Sequence, residues 1–305
     1  MAVWGDFEIF NTATQPAEAL DFWVAYHRGA YVRVHGTFVA HREQWNALNP
    51  WDRDRIRTLV VAAASPTTVL VGRSACRYWD LPLASHEGIV ELGYDGGRTI
   101  KSRKLWPPGV AYRRITLPAS HLCEKDGLRI TSVERSVLDF CRWHPFGESL
   151  ALVEGYLRKF PRRDTWLLQK KLAEMGRVPG VRACRKVLKY ASRGSQSVAE
   201  SLAKALLIEN SLGSVRRQQV EVYGPDWRYF IDFVIDDWLA IEIDGDVKYT
   251  GPGLDKVLLN ERKREKRIRN AGYTLLRFDW KQLHNGEFEK LVRLALENPR
   301  PRFPA

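Results

Sequence analysis

Cysteine is scarce in this chain and is not spaced for metal or disulfide chemistry. The four residues, Cys76, Cys123, Cys141 and Cys184, form no Cys-x-x-Cys pair, and no neighbouring histidine completes zinc-finger spacing. The histidines His27, His35, His41, His86, His121, His144 and His284 show no ligand spacing of their own. A zinc centre is therefore not expected. Long apolar runs are missing too. The longest, Leu59 to Val71, is interrupted by Ser65, Pro66, Thr67 and Thr68 and is too short to span a bilayer. Met1 to Asp6 has neither a basic start nor an apolar core, so no secretory signal is expected. No internal repeat or low-complexity tract appears. These absences predict a soluble cytoplasmic protein with reduced thiols and no membrane association.

Acid is outnumbered as well. Lys and Arg total 48 against 36 Asp and Glu, a net charge of +12 over 305 residues. Polyanions are the natural partners of such a surface, nucleic acid before anionic membrane. The plainer alternative is a protein that is merely basic. The length suggests two domains, and a hydrophobic share of 45% is enough for ordinary cores.

In the N-terminal part, residues 16–28 read as a helix that Pro16 opens, with Ala19, Leu20, Trp23 and Val24 at helical spacing. Arg28 to Val39 follows as a glycine-bracketed hairpin. A helix and then a basic hairpin is the outline of a winged helix, with Arg28, Arg33 and His35 on the wing. A small structural hairpin with exposed arginines fits the same residues. Residues 52–65 read as a helix, 74–79 as a short one, and 88–92 and 110–115 as strands. Thr131 and Glu134 have capping-box spacing ahead of the apolar face Val133, Val137, Leu138 and Cys141. Residues 150–190 read as basic helices. Arg193 to Ser197 is the clearest boundary, and a new helix starts at Ser197.

Beyond Ser197 the pattern is helix, strand, strand, strand, helix, strand, helix. The strands fall at 218–223, 228–235, 239–243 and 273–278, and the helices at 197–212, 254–271 and 288–296. A mixed sheet flanked by helices is the natural packing of that order. Two of these apolar strands carry acid, at Asp232 and at Glu242 with Asp244, and Lys248 follows. Carboxylates rarely sit inside strands unless something pairs them. Acids converging with a lysine are what a magnesium-dependent nuclease requires, because hard oxygen ligands suit magnesium. Asp232 and Glu242 converge only if their strands pair even position to even position. A two-residue turn at Asp236-Asp237 would set Asp232 against Ile241, so the site predicts an odd-length loop or a bulge at Asp236 to Trp238. Glu261 falls inside the apolar stripe of the following helix. It either pairs with Arg264 or Arg277 or supports the site, while Arg262, Lys263, Lys266 and Arg267 lie on the outward arc. Arg228, Gln219 and the basic helix are candidates for tracking a phosphate backbone.

Residues 197–298 resemble the PD-(D/E)xK nuclease superfamily, nearest to a domain related to the very-short-patch mismatch repair endonucleases. The resemblance rests on Ser197-Val-Ala-Glu-Ser201, Arg217-Gln-Gln219, Ile231-Asp-Phe233, Glu242-Ile-Asp-Gly245, Lys248-Tyr249, Asn260-Glu-Arg-Lys-Arg-Glu265 and Gly272-Tyr-Thr-Leu-Leu-Arg277. It implies a restriction-endonuclease-like fold over 196–300, Mg2+ or Mn2+ held by Asp232, Glu242 and Asp244, and catalytic roles for Asp232, Glu242, Glu200 and Lys248. Gln219, Glu261 and Arg264 would support the site. Asp244 stands where the superfamily usually has lysine, so Lys248 would serve from a displaced position. Residues 1–195 resemble AbiEi-like antitoxins through Gly29 to Gly36, Ser74-Ala75, Leu128 to Ser132 and Leu138-Asp139. That implies a winged-helix-like region over 1–60, a mixed α/β and helical region over 61–195, DNA binding through residues such as Arg33 and His35, and a cognate toxin as partner. The expectation is an α/β (α+β) protein that hydrolyses phosphodiester bonds in nucleic acid, most simply DNA. The alternative is an antitoxin or repressor that binds DNA without cutting it.

Overall fold

Short alternating segments near the N-terminus pair into the first sheet of the computed structural model, which describes residues 2–4, 7–94, 100, 102–214, 216–244 and 254–298. Strands β1 (Ala2–Trp4), β2 (Phe7–Asn11), β3 (Tyr31–His35) and β4 (Phe38–His41) run in the order β1-β2-β4-β3, with helix α1 (Leu20–His27) ahead of β3. The basic hairpin is thus the edge of a four-stranded sheet. Arg33 points to solvent. His35 is half-buried, and burial with the nearby Arg57 charge lowers its pKa. Two helices close this sheet, α2 (Arg42–Ala47) and α3 (Pro50–Ala63). The Asn49 side chain accepts from the Asp52 N–H and Pro50 occupies the first turn, a favoured helix start. Ile9, Val34, Ala40, Trp45, Ile56 and Val60 form the core between them.

A second sheet follows in the order β7-β6-β5-β9-β8. Its strands are β5 (Val69–Leu70), β6 (Val90–Tyr94), β7 (Val110–Arg114), β8 (Leu122–Lys125) and β9 (Leu128–Thr131), with helices α4 (Gly72–Tyr78) and α5 (Val133–Trp143). The expected capping box is replaced. Thr131 ends β9, where its hydroxyl meets the Leu70 carbonyl and Ser136, and Ser132 occupies the cap position instead. The heart of this region is polar. Glu91, 1% exposed, accepts from the Arg73 N–H at 2.7 Å and from Arg113 at 2.5 Å, and meets His144 at 3.2 Å. Gly72, at φ +49, makes room for it, since a Cβ there would lie 2.4 Å from Glu91 Oε2. Asp139, fully buried, pairs with Arg135 at 2.9 Å and Arg142 at 2.6 Å.

Three helices lead onward: α6 (Phe146–Lys159), α7 (Thr165–Glu174) and α8 (Val181–Tyr190). The chain divides into two compact units, residues 1–144 with 166–184 and residues 145–165 with 185–305. The second unit contains α9 (Val198–Glu209), β10 (Arg216–Gly224), β11 (Trp227–Ile235), β12 (Leu239–Ile243), α10 (Leu254–Asn270), β13 (Thr274–Phe278) and α11 (Glu287–Glu297). This is the helix and strand order read from the sequence. Its sheet runs β10-β11-β12-β13, antiparallel at the first two pairings and parallel at the last. Ile268 of α10 packs on Ile231, Val234, Ala240 and Leu275. Glu154 of α6, fully buried, fastens the start of this unit. It accepts from Ser195 at 2.5 Å, Ser201 at 2.7 Å, Lys204 at 2.6 Å and the Ser192 N–H at 3.0 Å. The whole is a mixed α/β protein, and among the described residues no helix is long and apolar enough to cross a membrane. The four cysteines are free thiols, with Cys76, Cys141 and Cys184 buried.

Glu91 gives the fold an acid-sensitive point. Burial alone would push its carboxyl up, but the hydrogen bond and charge of His144, together with Arg113, outweigh burial and pull it down to about 2. A carboxylate lowered in the folded state stabilises above its unfolded value of 4.5 and loses that contribution as pH falls toward the folded value. The loss is on the order of 3 kcal/mol. Glu91→Gln should be destabilised by about that much at pH 7 and should close the gap to the native sequence between about pH 4.5 and 2, as measured by urea denaturation across pH.

Candidate active site

The centre of the site is set by β11 and β12. Phe233 pairs with Ile241, Val234 with Ala240 and Ile235 with Leu239, which leaves Asp236-Asp237-Trp238 as a three-residue loop. Asp236 and Asp237 take φ +48 and +66, a conformation that aspartate tolerates better than most residues. The loop is tied down by the Trp238 N–H on the Ile235 carbonyl at 3.2 Å and by the Ser214 N–H on Asp236 at 2.8 Å. An odd loop gives the even-to-even register that the acids require, and continuing that register sets Asp232 beside Glu242.

Asp232 accepts the Ile243 N–H at 2.8 Å and the Gln219 amide at 3.2 Å. Gln219 is unusual. The flanking pairs Gln218–Phe233 and Val220–Ile231 keep a common register, yet Gln219 between them is left-handed at φ +52. Its amide also reaches Glu200 of α9 at 3.2 Å, and its carbonyl oxygen accepts from Gln196 at 3.1 Å. Glu200 is fixed from both ends. The Ser197 cap accepts its N–H at 3.0 Å, and its carboxylate accepts the Gln196 N–H at 2.8 Å. One strained glutamine therefore bridges the helix acid and the strand acid.

The other side of the site carries arginine. Arg264 of α10 donates to Glu242 at 2.5 Å and to the Phe230 carbonyl at 3.1 Å. Arg277, set beside Glu242 by the parallel β12–β13 pairing, donates to Asp244 at 2.6 and 3.2 Å and to Glu261 at 2.5 Å. Glu261 also lies 3.8 Å from Arg264. Both arginine partners anticipated for Glu261 are thus engaged. Burial pushes Glu242 up to about 7 against the pull of Arg264 and Arg277. Burial likewise raises Asp232, opposed by the Ile243 N–H and Gln219, and raises Glu200, with the charge of Asp232 adding to the effect. Burial works against the Arg277 charge, but Asp244, Glu261 and Glu242 hold it above the ordinary range.

The remaining candidates are spread more widely. Lys248 lies outside the described residues. Arg262 and Lys263 are exposed on α10. Arg228 is exposed on β11 and paired with Glu221. Arg33 and His35 belong to the other unit. Among the described residues no three His, Cys, Asp or Glu side chains form a ready-made metal cage. Magnesium does not demand one, since it is commonly held by one or two carboxylates plus substrate phosphate and keeps several waters. Asp232 and Glu242 supply that hard-oxygen pair. Both oxygens of Asp244 accept from Arg277. The sequence offered Arg277 as a partner for Glu261 and as the end of a motif in the nuclease resemblance, without a site role, and Gln196 only as part of the boundary from Arg193 to Ser197. Arg277 enters through the long-range β12–β13 pairing, and Gln196 through a local N–H bond to Glu200 and a long-range amide bond to Gln219.

Strain at position 219 makes a test. A left-handed non-glycine residue costs about 1–2 kcal/mol. Gln219→Gly should therefore be more stable than Gln219→Ala by about 1 kcal/mol, the reverse of the usual order in strands. Chemical denaturation of the two variants measures it. No protein-family model matches this chain, and no curated protein matches it either.

Proposed function

We propose that the second unit is a metal-dependent phosphodiester hydrolase acting on nucleic acid, most simply DNA. The observation that carries this reading is the placement of Asp232 beside Glu242 by a three-residue loop, in a setting where burial raises both carboxyls. Perturbed acids converging in one place are a functional signature as well as a structural cost. Arg264 and Arg277 engage Glu242, Asp244 and Glu261, while Asp232 and Glu200 are held by the Gln219 amide and by backbone N–H groups. The resemblance of residues 197–298 to the PD-(D/E)xK nucleases points the same way.

Asp232 and Glu242 would hold Mg2+ or Mn2+, which supplies charge relief at the phosphate and a more acidic water. The protein does the rest. Gln219 and the Ile243 N–H hold Asp232 in one orientation. Arg264 sits at Glu242 where it can turn to a phosphate oxygen. Arg262 and Lys263 add exposed positive charge along α10.

The ion pairs of Glu242 with Arg264 and of Asp244 with Arg277 favour a second reading, in which the site is a structural relic of a nuclease and the chain binds DNA as an AbiEi-like repressor or antitoxin with a toxin partner. Cleavage separates the two. The first reading expects Mg2+- or Mn2+-dependent hydrolysis of plasmid or oligonucleotide that falls on the order of 100-fold or more in Asp232→Ala and Glu242→Ala. It also expects Mg2+ to raise the melting temperature of the native protein but not of Glu242→Gln. Intact DNA and RNA in both metals, with no thermal shift, would leave the repressor.

A further inference from the structure

The β10–β11 ribbon has two unlike faces. On one, Val220, Val222, Trp227, Tyr229 and Ile231 join the core that includes Ile268 of α10. The register pairs Tyr223 with Arg228 and Glu221 with Phe230 on the opposite face. There Tyr223 is 74% exposed and Phe230 47% exposed. Gln219 and Asp232 follow on the same two strands, where left-handed Gln219 interrupts the alternation and Ile231 and Val234 both join the Ile268 core. The β12 pairings begin only at Phe233, so this part of the ribbon runs on past the central sheet.

Two large rings held in water beside a candidate site call for an occupant. Tyr223 and Phe230 are diagonal neighbours across the ribbon, about 7–8 Å apart at Cα. That places both within reach of adjacent bases of an extended strand. Arg228 stands between them with its guanidinium 5.4 Å from the Phe230 ring centre, and its ion pair with Glu221 on the same face has to open for it to reach a phosphate. At the other end of the ribbon Arg216 and Arg217 are exposed, Arg216 donating to the Leu212 and Gly213 carbonyls and Arg217 paired with Asp237. Rings interleaved with arginines are the recognition surface of single-stranded nucleic acid, where stacking supplies sequence-tolerant affinity and cations track the backbone. A duplex offers no free base faces to such a ledge, because its bases already stack on one another. The chain's net charge of +12 suits the same polyanion.

We propose that the open face of the β10–β11 ribbon, through Tyr223 and Phe230, binds the unstacked bases of single-stranded nucleic acid and makes single strands the preferred substrate of the neighbouring acids. The substrate part of this inference rests on the hydrolase reading, and the binding part stands without it. Fluorescence anisotropy in EDTA, where no metal is present, tests the binding part, using labelled oligothymidylate of about 20 nucleotides, longer than a typical single-strand site, and a duplex of equal length. The native protein should bind the single strand about tenfold or more tightly than the duplex, and Tyr223→Ala and Phe230→Ala should each weaken it by about tenfold. Tyr223→Phe should keep the affinity, and the salt dependence should be the same in the alanine variants, since no phosphate contact is lost. Equal or tighter duplex binding, or alanine variants that bind as well as the native protein, would overturn the proposal. Ring-dependent binding by a protein that cuts nothing in Mg2+ or Mn2+ would sink the hydrolase alone. Cleavage of duplex by the native protein as fast as, or faster than, cleavage of the single strand would sink the single-strand preference alone.

Discussion

The site depends on the parity of one loop. Side chains alternate along a strand, so adding or removing a single residue between β11 and β12 would turn one of the two acids to the far face. Asp236-Asp237-Trp238 holds the odd count. It does so with two left-handed aspartates and the Ser214 N–H on Asp236. The Ile243 N–H on Asp232 follows from that register, while the Gln219 bridge rests on the β10–β11 pairing and Arg277 on the β12–β13 pairing. A strand pair with a tight two-residue turn would have been the easier hairpin, and it would have had no carboxylate pair.

Once the acids are side by side, electrostatics sets the problem the rest of the site answers. Burial raises Asp232, Glu242 and Glu200 together, so their charges are held at a cost. Two arginines from different elements offset part of it, Arg264 from the helix and Arg277 from the neighbouring strand. The remainder is met by donors that carry no charge: the Gln219 amide and the backbone N–H groups of Ile243 and Gln196. The first unit manages the same difficulty by a different route. Glu91 is surrounded by cationic side chains and pulled down instead of up, while burial still raises Asp139 against Arg135 and Arg142.

Much of the C-terminal fold was legible in the sequence because its strands alternate and its helices begin and end at recognisable residues. Ser197 caps α9 as read, and β12 spans Leu239–Ile243 as read. The parity condition could be stated in advance because it follows from geometry alone. The details decided by distant partners were not legible. Thr131 has the spacing of a helix cap, yet β9 claims it, because the Leu70 carbonyl on the adjacent strand is its better partner. The hairpin at Arg33 looks like a free wing until the strands Phe7–Asn11 and Ala2–Trp4 are seen to extend its sheet. Arg277 reads as a candidate partner of Glu261, and the parallel pairing with β12 brings it to Glu242 as well.

Glu154 determines where this chain can be cut. Every described residue of the carboxylate cluster lies beyond Ser195, which invites a fragment that begins there. Such a fragment would leave the Ser201 hydroxyl and the Lys204 ammonium without the buried acceptor they share. It would also strip α6 from the flank of α9, the helix that carries Glu200. The second compact unit is discontinuous in sequence: α6, from upstream of α7, belongs to the same body as the sheet that follows α9. Evolution or engineering that shuffles this module as a single cassette has to move α6 with it.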